Sequence, residues 1–246
     1  MADSHDSSDA IALQVAIDGL YTTFAPYPLK RVIEGCPHCI SRADSDALHV
    51  RALDALTTDD VRRYATKAMT TFGDAEDFKH FLPRLMELLA RELITGEVRE
   101  RLGFSEEILG GKLALAGYVG WPTAEREAVD HFLEAMWSAL LACFPTIPDA
   151  ETFLCFLAQF TSLDRYLALW RAARTHSAFA HAVDAVYASY RSAFWPVPAR
   201  QRFENWLAES ETFALVQLAA DAWRDGAYRG EFPSWVEMTL SFLSES

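Results

Sequence analysis

Apolar residues recur with a helical period along almost the whole chain, and this limits the fold more than any other feature. Leu13, Ile17, Leu20, Tyr21 and Phe24 follow at i, i+4, i+7, i+8 and i+11, a spacing that gathers them on one side of a helix. The same segment carries a competing pattern. Ile11, Leu13, Val15 and Ile17 also alternate, and Asp18-Gly19 is a hairpin dipeptide. The helix is preferred because its stripe continues through the Asp-Gly step. Val61, Tyr64, Ala65, Ala68 and Met69 form a second stripe, and Phe78, Phe81, Leu82, Leu85, Leu88 and Leu89 form a third.

Start and stop residues divide the chain into helices. Ser8-Asp9 caps the first, which runs to about Phe24, where Pro26 and Pro28 end it. Thr57 and Asp60 have the spacing of a capping box with the shorter acid. Gly73 closes the helix they open, and Asp74 caps the next, in which Pro83 predicts a kink or a restart. Further helices are expected over about 105–119, 122–144, 149–161, 162–175, 177–193, 199–209, 211–226 and 232–244, with Gly226 in the helix-ending position. Residues 25–56 are the least regular. No period of 34 or about 40 residues repeats, which argues against recognised helical repeats. The expected fold is all-α: an irregular multi-helix bundle or short helix-pair solenoid of about ten to eleven helices, with one irregular Cys-containing segment near the N-terminus. A single domain over 1–246 is expected, with residues 1–8 flexible and the one plausible seam near 120–123, at Gly120-Trp121-Pro122.

Charge narrows the function. There are 35 acidic and 22 basic residues, a net charge of −13. Residues 1–123 carry 13 basic and 19 acidic groups, and residues 124–246 carry 9 and 16, so the acidity is spread evenly. A field of that sign repels phosphate backbones and anionic membrane surfaces. No nucleic acid and no membrane partner are expected. Arg165, Arg171 and Arg174, and Arg200 with Arg202, are the nearest to cationic clusters, but Asp164 and Glu204 dilute them. No apolar run reaches the roughly 20 residues of a membrane span. The first residues, Met-Ala-Asp-Ser-His-Asp, lack the basic start of a secretory signal. A cytoplasmic protein with reduced thiols is expected.

The segment that looks chosen for chemistry is Cys36-Pro37-His38-Cys39. Three readings stand side by side. Two thiolates can hold one zinc ion if two more ligands arrive from elsewhere, and His49 and His80 are the nearest histidines downstream. Alternatively, the pair is a redox dithiol. Over these four residues it resembles the active-site motif of disulfide oxidoreductases, but no βαβ pattern surrounds it, so the thioredoxin fold is not expected. The third reading is a loop with two incidental thiols. Cys143 and Cys155, set among Leu, Ala and Phe, read as core residues.

Other candidates are weaker. Glu127, Asp130, His131 and Glu134 form an acidic-histidine stripe, and Asp77 and His80 share a face. A di-iron bundle needs Glu-x-x-His on each of two helices, which the chain lacks; a solvated helix face is expected. His176 and His181 read as surface or inter-helix contacts. The chain has 7 Trp, 8 Tyr and 16 Phe, most of them at core spacing. Phe194-Trp195-Pro196 and Phe232-Pro233-Ser234-Trp235 fall at helix breaks, where exposure is more plausible. There is no GxSxG, HExxH, P-loop or GxGxxG motif. The leading functional reading is a non-enzymatic interaction module whose acidic surface binds a basic protein partner, as an adaptor, regulator or immunity-type inhibitor does. The alternative is a metal- or thiol-dependent enzyme organised around Cys36 and Cys39.

Overall fold

A computed structural model of the chain describes residues 5–95, 106–146, 148–173, 175–188, 194–212, 214 and 216–218. Among the described residues there are ten α-helices and two short 3-10 turns, and no strand longer than an isolated bridge. The all-α class read from the periodicity is therefore the observed one. The expected helices over 211–226 and 232–244, with the Gly226 end, lie wholly or mostly outside the described residues, as do Arg174 and the Phe232–Trp235 segment. The chain divides into two compact units, Met1–Met136 and Trp137–Ser246. The division falls inside a helix, whereas the sequence places its seam near 120–123.

The first unit is built on α1 (His5–Phe24) packed against α4 (Ala75–Thr95). The helical stripe of α1 is the buried one: Leu13, Ile17, Leu20 and Phe24 are each at most 2% exposed. Ile11 and Val15, which an alternating strand would have placed beside Leu13 and Ile17, are exposed. No hairpin forms at Asp18-Gly19; the helix runs through it. Tyr21 bridges to α4 by donating its hydroxyl hydrogen to Glu87 Oε2 at 2.5 Å.

Residues 25–56, expected to be irregular, hold one short helix, α2 (Arg42–Ala47), and a 3-10 turn over Leu53–Ala55. The cap of α2 is reciprocal: Asp44 N–H donates to Ser41 Oγ, and Ser41 N–H donates to Asp44 Oδ2. α3 (Thr58–Lys67) opens with the capping box expected of Thr57 and Asp60. Its end differs from the expectation. The helix stops at Lys67, before Gly73, because Met69 adopts a left-handed backbone with φ 63°. The amides of Thr70, Thr71 and Phe72 then all donate to Lys67 O. Gly73 follows at φ 71°, a conformation glycine accepts without a Cβ penalty.

α4 starts from Asp74, whose Oδ1 accepts the amides of Glu76 and Asp77. It continues through Pro83 without a break. α5 (Glu106–Leu115) ends earlier than the expected 119, at left-handed Gly117, and a 3-10 turn over Tyr118–Gly120 leads on. α6 (Thr123–Ala142) carries the boundary between the units.

The second unit holds α7 (Ala150–Ala158), α8 (Asp164–Ala172), α9 (His176–Ala188) and α10 (Val197–Ala208). Its core is aromatic. Trp137 stacks on Phe153 at 5.7 Å and meets Trp170 edge-on at 5.3 Å, and Trp170 packs on Trp206 at 4.9 Å. Most of the indole N–H groups in this core find acceptors: Trp137 on Tyr166 O, Trp170 on Ala178 O and Trp195 on Glu151 Oε1. A buried indole N–H ordinarily finds such a partner. Trp206 Nε1 is the exception, buried without a partner among the described residues. Trp195 is therefore a core residue, while its neighbour Phe194 is 60% exposed.

Candidate functional site

The cysteine pair sits on a tight turn whose geometry follows from its four residues. Pro37 supplies the fixed φ suited to the second position of a turn. The amides of Cys39 and Ile40 both donate to Cys36 O at 2.9 Å. The start of the turn is tied from outside by main chain. Cys36 N–H donates to Thr71 O at 2.8 Å, and Gly73 N–H donates to Glu34 O at 2.7 Å. This is the isolated bridge between Gly35 and Phe72. The loop that follows α3 thereby positions the dithiol.

Both thiols are partly exposed, free of any disulfide, and carried three residues apart on the one turn. Their environments split them. The His38 amide, and then the Cys39 thiol, donate to the Cys36 sulfur and hold it below the ordinary thiol range. Cys39 is pushed up, first because it donates to Cys36 and next because it faces the charge there; Lys67 and Arg63 oppose this weakly. Backbone amides thus favour thiolate at Cys36 over Cys39, and a thiolate is the more nucleophilic form. Arg63 reaches the turn directly, donating from its guanidinium to Cys39 O at 2.6 Å. Beside the turn lies a shallow, open depression of ≈ 440 Å³, lined by Val32, Gly35, Ile40, Ser41 and Arg42 among others.

The two histidines proposed as further metal ligands are occupied elsewhere. Both ring nitrogens of His49 face backbone carbonyls, Nδ1 that of Ser45 at 2.9 Å and Nε2 that of Lys30 at 3.0 Å. His80 Nδ1 donates to Tyr27 O at 2.7 Å, and burial holds His80 below its ordinary range. Among the described residues, no three His, Cys, Asp or Glu side chains come together as a metal ion requires. Cys36 and Cys39 are brought together; His49 and His80 are not brought to them. Two thiols alone do not fit the four ligands of a structural zinc site.

Comparison with known proteins finds no family model, no curated protein and no solved structure that matches this chain. What the chain does therefore rests on its own chemistry.

The remaining candidates resolve into structural roles. Cys155 is fully buried, as expected, whereas Cys143 at the end of α6 is only half-buried. Asp130 accepts the Tyr118 hydroxyl at 2.5 Å, and Glu127 and His131 lie exposed on α6. His181 makes an inter-helix contact, with Nε2–H donating to Leu140 O at 3.0 Å and Cys143 O at 2.8 Å. Three arginines of the second unit are paired. Arg202 meets Asp164 at 2.7 Å and Glu209 at 3.3 Å, Arg200 meets Glu204 at 2.8 Å, and Arg171 meets Glu209 and Glu211. No helix among the described residues is long and apolar enough to cross a membrane.

Sequence reading overlooked Lys79 and Lys112, each alone of its kind on its helix face. Lys79 is clamped in unit 1 by Glu125 at 2.6 Å and by Tyr27 OH at 3.1 Å, with the Trp121 ring 4.6 Å away. Lys112, on α5, is 5% exposed. The only sequence signal was a lysine amid apolar residues, in Gly111-Lys112-Leu113.

Proposed function

We propose that the chain acts through thiol–disulfide exchange at Cys36 and Cys39. The observation that carries this reading is the turn itself: two accessible thiols, three residues apart, on a loop held by main-chain bonds. The Cys36 thiolate attacks one sulfur of a disulfide, and the other half leaves as a thiolate that takes up a proton. The mixed disulfide formed at Cys36 is then attacked by Cys39 after it loses its proton. The second half leaves as a thiol, and a Cys36–Cys39 disulfide remains. The chain has given up two electrons and two protons, and the incoming disulfide has gained them. The depression flanking the turn leaves room for the substituents of that disulfide. A cytoplasmic setting, where thiols are kept reduced, belongs to the same proposal.

The test is intact mass after acid quenching, with a low-molecular-weight disulfide as oxidant. Wild type should lose two hydrogens with no adduct. Cys39→Ser should accumulate one adduct, at Cys36, and Cys36→Ser should react slowly. Equal rates at Cys36, Cys39 and Cys143 would overturn the reading.

A second reading rests on charge. With net −13 and the arginines around Arg171 and Arg202 tied to acids, the surface suits a basic protein partner. This is the adaptor, regulator or inhibitor role. Such association should weaken as salt rises. An affinity flat in ionic strength would sink it, as would tight binding to duplex nucleic acid.

A further inference from the structure

Four lysines serve this chain, and they fall into two pairs of opposite kind. Lys30 lies 2.6 Å from Asp74, and Lys79 lies 2.6 Å from Glu125. Lys67 and Lys112 have no carboxylate within ion-pair distance among the described residues, although the chain holds 35 acids. α3 and α5 pack together and bring these two ammonium groups near each other. Lys112 is 95% buried, and among the described residues its one polar contact is long, 3.4 Å to Thr70 Oγ1. The Thr70 hydroxyl gives its own hydrogen to Lys67 O at 2.9 Å, so it can only accept from Lys112. In the same turn, Thr71 Oγ1 is buried with no partner.

An ammonium has three donors. Here one is weakly used, and a second cation stands nearby instead of a counter-charge. Leaving buried donors unmet is costly, most of all on a charged group. Burial, and then Lys67, hold Lys112 below the ordinary lysine range. Water would satisfy the donors but not the charge. An oxyanion does both, since several oxygens can accept from two ammonium groups at once. Thr70 is exposed, so the site has a solvent side through which a small ion can enter.

We infer that the turn between Lys67 and Thr71, with Lys112 of α5, is a binding site for a small oxyanion such as a phosphate or carboxylate group. This goes beyond the dithiol reading and does not depend on it. Cys36 borders the site through its amide on Thr71 O, but neither thiol is asked to touch the ion.

The experiment uses the full chain with isotope-labelled lysine, which gives four side-chain signals by NMR. They are titrated in sodium chloride, sodium phosphate and sodium acetate at matched ionic strength. In chloride, Lys112 should titrate lowest. In the bound anion its midpoint should rise by about 1 pH unit or more, while Lys30 and Lys79 stay put. The phosphate and acetate arms distinguish the two anion classes. Melting at neutral pH gives a second readout: phosphate or acetate should raise the wild-type Tm above chloride, less so in Lys67→Met and not at all in Lys112→Met. An unmoved Lys112 in both anions, an equal shift of all four lysines, or the same Tm gain in Lys112→Met would each overturn the site.

Discussion

The Lys79 ammonium lies 2.6 Å from the Glu125 carboxylate, and each side chain keeps only about a tenth of its surface in water. Tyr27 closes the cluster, donating its hydroxyl hydrogen to Glu125 Oε1 at 2.5 Å and accepting from Lys79 at 3.1 Å. Removing one member strands a desolvated charge. Glu125→Ala and Lys79→Ala should each lose about 2–4 kcal/mol, and the paired replacement Lys79→Met with Glu125→Leu should lose far less than their sum. Urea unfolding of the singles and the double checks this. Additive losses would show that the two charges act separately.

His181 should make stability fall with acid. It is 1% exposed, its Nε2–H is used, and its Nδ1 has no partner. Burial therefore holds its pKa below the ordinary value near 6.5. The folded state then binds fewer protons than the unfolded state just below that value. Stability from this group is complete above about pH 6.5 and is lost as pH falls toward the folded pKa. Unfolding free energy measured from pH 8 to pH 5 should drop more steeply for wild type than for His181→Gln. Parallel curves would refute the assignment.

Gly73 and Gly117, both left-handed, should respond differently to a methyl group. At Gly117 an added Cβ meets nothing within 4 Å, so Gly117→Ala bears only the backbone cost, about 1–2 kcal/mol. At Gly73 the same Cβ lies 3.0 Å from Asp77 Cβ and Oδ2. Asp77 Oδ2 accepts the Asp74 amide that starts α4. Gly73→Ala should cost more than Gly117→Ala by about 1 kcal/mol or more, in the range of strained positions. Equal denaturant midpoints would show that the loop yields freely.

Thiol labelling in the native state should be ordered. Cys36 should react first, since it is accessible and held toward thiolate. Cys155, with no exposed surface, should react last and only on unfolding. The check is mass spectrometry of peptides after timed alkylation. Labelling of Cys155 at the rate of Cys36 would contradict the packing of α7.

Helices were legible because burial selects a period. On α1 the stripe through Leu13, Ile17, Leu20 and Phe24 wins over the alternating one, since only the former keeps one face toward α4. The Thr57–Asp60 cap was legible because it is local. The end of α3 was not, because Met69 has no side-chain preference that announces a left-handed turn. The dithiol was visible as a motif, but its missing histidine partners were not. His49 and His80 are satisfied by carbonyls of residues 27 to 45, an arrangement that only tertiary packing creates. Lys112 was illegible for the same reason: its setting depends on α3, far away in sequence.

The joint between residues 34–36 and 71–73 is made of amides and carbonyls, with no side chain in it. Apart from its two glycines, Gly35 and Gly73, a joint of that kind is indifferent to what the residues are. Glu34 can drift to nearly any residue without loosening the hold on the turn, since it lends only a carbonyl. Proline at 36 or 73 is the replacement such a joint refuses, because it removes a donor. Random mutagenesis scored for folding alone should therefore leave Glu34 unmarked, and divergent copies of this chain can keep the turn's shape while sharing little of the sequence around it.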